Sequence, residues 1–108
     1  MPFEIYQNES GKYGFRLKAG NGQIIMASQT YADKSGAENG VQSVISNANE
    51  NAFEKKVAKD ESHYFNLKAG NGQIIGKSQM YTTESACDNG IQSVIKNAKE
   101  KVINDLTA

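Results

Sequence analysis

Residues Phe15 to Ala48 read FRLKAGNGQIIMASQTYADKSGAENGVQSVISNA, and residues Phe65 to Ala98 read FNLKAGNGQIIGKSQMYTTESACDNGIQSVIKNA. The offset is a constant 50 residues without a gap, and 22 of the 34 positions are identical. Phe3-Glu4 and Phe53-Glu54 obey the same offset. An internal repeat constrains architecture before any local propensity does, and two copies are too few for an open solenoid, which needs about three. The expected result is a closed pair of units related by a pseudo-two-fold axis, as in a homodimer fused into one chain. No stretch has the composition of a flexible linker. Residues 1–108 are therefore read as one domain made of two repeats, about 1–52 and 53–108.

Within a unit, the residue pattern predicts the elements. Phe3 to Tyr6 reads as a short strand, and Ser10-Gly11-Lys12 as a turn. Tyr13, Phe15, Leu17 and Ala19 recur at period two, with Gly14, Arg16 and Lys18 on the other face. Asn21-Gly22 between two β-like runs predicts a two-residue type I′ hairpin, and Gln23 to Ser28 is the returning strand. His63 to Ala69, Asn71-Gly72 and Gln73 to Ser78 repeat the pattern. Ser35 and Ser85 are the expected helix N-caps, with Glu38 completing a capping box and Asp88 a weaker one. Ala37, Val41, Val44, Ile45 and Ala48 then share one helical face, matched by Cys87, Ile91, Val94, Ile95 and Ala98. Each helix is expected to lie with one apolar stripe on a sheet. Ala52 to Val57 reads as a strand that closes the first unit and opens the second. Val102 to Leu106 is its C-terminal counterpart, with continuation of the helix through Ala98 and Val102 as the other reading.

The pattern FEIYxxxxGKYxFRLKAGNGQII, then SQxY, SxxxxENGxxSV and a closing NDLT, resembles the YegP-like family of small bacterial proteins. The resemblance covers essentially the whole chain. It implies paired β-β-β-α-β units sharing one antiparallel sheet, with C-terminal strands exchanged between units, and single-unit relatives that assemble as dimers. It implies no activity. The copies differ at their first strands: Ile5-Tyr6 and Tyr13-Gly14 in the first become Lys55-Lys56 and His63-Tyr64 in the second. The expected architecture is thus α+β, with two helices packed on one face of the sheet and pseudo-two-fold symmetry.

Composition narrows the function. The chain has 108 residues, 38% of them apolar, with a mean hydropathy of −0.61. Twelve basic residues balance twelve acidic ones, so the whole-chain charge that nucleic-acid binding favours is missing. Cys87 is the lone cysteine and cannot form an internal disulfide; no secretory signal or membrane-length apolar run is visible. The expectation is a cytoplasmic protein, monomeric as a fused pseudo-dimer, with no membrane contact.

Motifs that could carry chemistry read as structure. Gly20-Asn21-Gly22 lacks the third glycine of a dinucleotide fingerprint and precedes a strand. Gly76-Lys77-Ser78 resembles the end of a P-loop, but Asn71 stands where that loop needs glycine. His63, the single histidine, aligns with Tyr13 on a strand, and Cys87 aligns with Ala37 on an apolar helix face. No triad, metal cluster or carboxylate pair emerges, so neither catalysis nor a cofactor is expected. Two features remain as candidate contact surface. Tyr31 and Tyr81 recur in Ser-Gln-x-Tyr before each helix. Arg16, Lys18, Asn66 and Lys68 share the sheet face away from the helices, with Tyr6, Ile25 and Ile75 expected to point the same way. The expected role is a non-enzymatic binding or accessory module acting through that face or those loops, toward a protein or an anionic ligand. The alternatives are nucleic-acid binding through Arg16, Lys18, Lys68 and Lys77, and a small enzyme with an inter-unit cleft.

Overall fold

The structure, a computed structural model, describes residues 3–20 and 22–107. The elements run β1 (Phe3–Gln7), β2 (Tyr13–Lys18), β3 (Ile24–Ser28), α1 (Lys34–Asn47), a 3-10 turn (Glu50–Ala52), β4 (Phe53–Val57), β5 (His63–Lys68), β6 (Ile74–Ser78), α2 (Glu84–Glu100) and β7 (Ile103–Asp105). They form an α+β fold with one seven-stranded sheet in the order β4-β5-β6-β3-β2-β1-β7. The two units meet at β3 and β6, where Ala27 pairs with Lys77. These two positions are equivalent under the 50-residue offset, so the pseudo-two-fold axis passes between them.

Every strand pair is antiparallel except the last: β7 adds parallel to β1, with Phe3 opposite Ile103 and Ile5 opposite Asp105. The closing strand of the second unit is therefore exchanged onto the first, as the family resemblance implies. The strand at Phe53 to Val57 does one job rather than two. It pairs with β5 and opens the second unit, but among the described residues it pairs with no strand of the first.

Cross-strand partners share a face of a sheet, which sorts the side chains. Phe3, Phe15, Leu17, Phe65 and Leu67 are fully buried beneath the helices, with Val41, Val44 and Val94 above them. Residues of both units form one core cluster. Close helix approach is built into the sequence. A Cβ on Gly40 would sit 2.5 Å from Phe15 Cε2 and 2.9 Å from the Tyr31 hydroxyl, and one on Gly90 would run into the Tyr81 hydroxyl. Symmetry is broken at the axis itself. Met26 is fully buried, and a Cβ on Gly76, its counterpart, would lie 3.1 Å from Met26 Cγ and Sδ. One methionine fills the space that two would overfill.

Three local expectations are corrected. The helix caps lie two residues before Ser35 and Ser85: Asp33 accepts from the Gly36 amide at 3.1 Å, and Thr83 Oγ1 accepts from the Ala86 amide at 3.1 Å. Ser35 instead donates to Asp33 at 2.8 Å, and Asp88 accepts from Lys55 at 3.0 Å, so neither capping box forms. The second hairpin has a three-residue loop. Ala69 N–H donates to Gln73 O and Gly72 N–H to Ala69 O, with left-handed φ only at Gly72 (86°) and not at Asn71. That is a β-turn followed by a glycine bulge rather than type I′. The first hairpin has the same bonds and φ 85° at Gly22, while Asn21, half of the expected turn, lies outside the described residues. Finally, Ile25 and Ile75 are 4% and 6% exposed and lie in the core, not on the open face. An irregularity in register at Leu17/Lys18 and Leu67/Lys68 breaks the alternation that placed them outside.

Candidate functional site

The sheet face opposite the helices carries a row of paired residues across six strands: Glu4, Arg16, Ala27, Lys77, Asn66 and Glu54. Arg16 Nε reaches Glu4 Oε1 at 2.8 Å, and Lys18 Nζ reaches the same oxygen at 3.3 Å. Lys68 meets Glu54 at 3.0 Å and Lys56 meets it at 3.6 Å. The Arg16 guanidinium, with Lys18 beside it, holds the Glu4 carboxyl below its usual range, and Lys68 does the same for Glu54. Each half of the face also has an aromatic platform. Arg16 lies 4.7 Å over the Tyr6 ring and Lys77 lies 4.7 Å over the Tyr64 ring, a favourable cation–π arrangement. Tyr6 can lie across β2 because residue 14 is glycine; a Cβ there would be 2.7 Å from its hydroxyl. In the second unit the aromatic sits at the glycine's own position, Tyr64, and lysine takes the place of Tyr6. Among the described residues the face thus holds five cations (Arg16, Lys18, Lys56, Lys68, Lys77) against two carboxylates. Asn66, counted from sequence as part of this surface, is 7% exposed and forms its floor.

Tyr31 and Tyr81 are elsewhere. Tyr31 exchanges two backbone bonds with Tyr13, at 2.9 and 2.6 Å, and Tyr81 does so with His63, at 2.8 and 2.7 Å. Their rings pack against Gly40 of α1 and Gly90 of α2, on the helix side. Burial pushes both phenols up from their usual range. The serine of each Ser-Gln-x-Tyr motif is structural too. Ser28 Oγ accepts from the Phe15 amide at 3.0 Å and donates to Gln29 O at 2.6 Å; Ser78 Oγ accepts from Phe65 at 2.9 Å and donates to Gln79 O at 2.8 Å. The motif returns the chain from sheet to helix. Its signal was readable as a repeat, but its role needed the strand register. Beside the tyrosines lie two axis-related clefts of about 340 and 230 Å³, each between one unit's helix and the other's hairpin. Cys87 is 1% exposed, and burial pushes its thiol up, away from the thiolate form a nucleophile needs.

This is a tandem-duplicated α+β protein with one helix-covered and one uncovered sheet face. The chain belongs to the family described as a domain of unknown function (DUF1508), whose model matches it twice, at residues 8–54 and 58–105. A UPF0339 protein of Stutzerimonas stutzeri is 54% identical over 57 residues, 52% of this chain and 51% of the relative, so the match spans about half the length of that curated relative. A UPF0339 protein of Methanosarcina acetivorans is 56% identical over 46 residues, 43% of this chain but 79% of the relative, which is therefore about one unit long. The solution structure of a UPF0339 protein from Shewanella oneidensis superposes with a TM-score of 0.91 at 49% identity, over 98% of this chain and 92% of that one. No helix among the described residues is long and apolar enough to cross a membrane.

Proposed function

We propose that this protein is a non-enzymatic binding module whose contact surface is the uncovered sheet face, and that it takes an acidic protein surface. One observation carries the reading: on a chain of zero net charge, five cations and two tyrosines gather on the face that the helices leave open. A flat, mixed surface of cations and aromatics suits a protein partner, where Tyr and Arg anchor contacts. A phosphate backbone suits it less, because Glu4 and Glu54 stand at both ends of the row. The non-enzymatic reading is supported by the shifted groups, each explained by packing, by an ion pair or by a cap or turn hydrogen bond rather than by a catalytic arrangement.

The test is an NMR titration at low salt with polyglutamate and, separately, with a short single-stranded oligonucleotide. Polyglutamate is expected to shift Arg16, Tyr64, Lys68 and Lys77, with the shifts fading as salt screens exposed charges. The double variant Arg16→Glu, Lys77→Glu should abolish them. Absence of shifts with either probe sinks the reading. Tighter oligonucleotide binding with a steep salt slope replaces it with the nucleic-acid alternative.

A further inference from the structure

The two outer edges of the sheet are built from equivalent strands, β1 and β4, yet only one is covered. At the β1 edge, Phe3 N–H donates to Val102 O at 3.1 Å and Leu106 N–H donates to Ile5 O at 2.9 Å. Lys34 of α1 forms an ion pair with Asp105, and Asp105 accepts from Thr107 at 2.9 and 2.6 Å. The 50-residue offset maps β1 onto β4, and it maps β7 (103–105) onto 53–55, also within β4. One segment cannot be both the first strand of its unit and the closing strand of the other. The slot beside β4 is consequently unfilled: Phe53 and Lys55, counterparts of Phe3 and Ile5, meet no strand on their outer side among the described residues.

The empty slot has the form of the filled one, enlarged. A cleft of about 360 Å³ lies between β4 and α2, lined by Phe53, Ile91, Lys55 and Asp88; its counterpart beside β1, lined in part by Ile103 and Asp105, is about 180 Å³. Phe3 is fully buried, whereas Phe53 is only partly buried. One charge is inverted: Glu84 stands where Lys34 does. Asp88, the counterpart of Glu38 beside the filled slot, keeps its sign, and it and Glu50 border the cleft. Lys55 leans onto Glu84 and Asp88 at 3.4 and 3.0 Å, all three side chains about half-exposed or more, so these pairs are weak and exchangeable. Lysine on an edge strand ordinarily discourages added strands. Here the Lys55 head folds back toward α2 and leaves the strand's outer hydrogen-bonding groups open.

We propose that the β4 edge is a strand-addition site for an extended segment of another protein, docked parallel to β4 with the pattern apolar–x–Lys/Arg. The apolar residue takes the place of Ile103 over Phe53 and Ile91, and the basic residue takes the place of Asp105 opposite Glu84 and Asp88. Main-chain bonds supply binding and the two pockets supply selectivity, as in other edge-strand recognition. A second copy of this chain is a poor occupant. Its own β7 would set Asp105 against Glu84, and pairing β4 with β4 would bring the lysines of both chains together. This surface is separate from the uncovered face and stands without it.

The probe is a peptide of residues 101–107 carrying Asp105→Lys, compared with the same peptide unchanged, titrated into the full-length protein and followed by NMR. The Asp105→Lys peptide is expected to shift and protect the amides of Phe53, Lys55 and Val57 and to bind there roughly three- to ten-fold more tightly than the unchanged one, the scale of a reversed exposed charge pair. In the Glu84→Lys variant the preference should invert. Shifts confined to β1 and β7, or none at β4 with millimolar peptide, overturn the proposal. So does binding at β4 that ignores peptide charge in both the parent and Glu84→Lys. The comparison of the two peptides on the parent protein decides the matter even where Glu84→Lys folds poorly.

Discussion

The β1 and β4 edges start from nearly the same instructions and end differently. Each has a phenylalanine paired across to a leucine, Phe3 to Leu17 and Phe53 to Leu67, and a helix behind it. β1 gains a parallel strand, a buried Ile5 and an ion pair to Asp105; β4 ends in Lys55, Lys56 and a 63%-exposed Val57. The difference teaches that duplication copies residues but cannot copy chain ends. In a two-fold dimer of single units both edges could receive a closing strand. Fusion spends one of these on the covalent connection, and the second unit's residues have diverged where the cover is missing.

The comparison breaks hardest if the units are separated. Residues 1–58 alone are expected to form a symmetric homodimer in which 53–57 changes role, closing the partner's β1 edge as β7 does here. Chains of that size are marginal without such cover, so folding should require association, with a melting temperature that rises with protein concentration. Residues 51–108 should dimerise less well, because the exchanged strand would set Asp105 against Glu84. A folded monomer of 1–58 at all concentrations in sedimentation equilibrium contradicts this.

Point substitutions sharpen the contrast. Phe3→Ala should destabilise by about 3–5 kcal/mol, the usual range for a fully buried phenylalanine, and Phe53→Ala by about half as much. Equal losses in urea unfolding would mean that the β4 edge is as well covered as β1. Away from the edges the units should behave alike. Gly40→Ala and Gly90→Ala should each cost about 1–3 kcal/mol through overpacking against Phe15 and Tyr31, or Phe65 and Tyr81, outweighing the gain in helix propensity. A gain in stability at either would refute the close-approach argument.

The smallest effect is electrostatic. Lys34, with help from Thr107, lowers the Asp105 carboxyl to about 2. A carboxylate whose folded pKa lies below its unfolded value stabilises the fold above the unfolded value, near 4, and loses that contribution as pH falls through about 2. The carbon signal of the Asp105 carboxyl should therefore titrate near pH 2, and Lys34→Ala should move its midpoint up toward 4. An unmoved midpoint would show that the ion pair does not hold β7.

Much of this was legible in the residues. The repeat, the strands, both apolar helix stripes and the exchanged C-terminal strand follow from the offset of 50, from periodicity and from family resemblance. The caps were missed because Ser35 and Ser85 are identical between copies, whereas the working caps, Asp33 and Thr83, are not. The loop type was missed because Asn-Gly also serves a three-residue turn once Ala69 and Gln73 pair. Ile25 and Ile75 were misplaced because a register irregularity is invisible to a period-two count. Of the candidate surface, Arg16, Lys18 and Lys68 do share the uncovered face, Asn66 is buried beneath it, and Tyr31 and Tyr81 lie across the sheet. The unequal edges were beyond reach, since strand order is a property of the closed sheet.

Native-state hydrogen exchange reads the covered β1 edge and the open β4 edge at once. The amides of Phe3 and Ile5 face β7, and those of Phe53 and Lys55 face the empty slot. The expected result is exchange at least about ten-fold slower at Phe3 and Ile5 than at Phe53 and Lys55, because only the first pair is closed by a further strand. Equal protection of the four amides would mean that the two edges are alike, and the asymmetry would be lost.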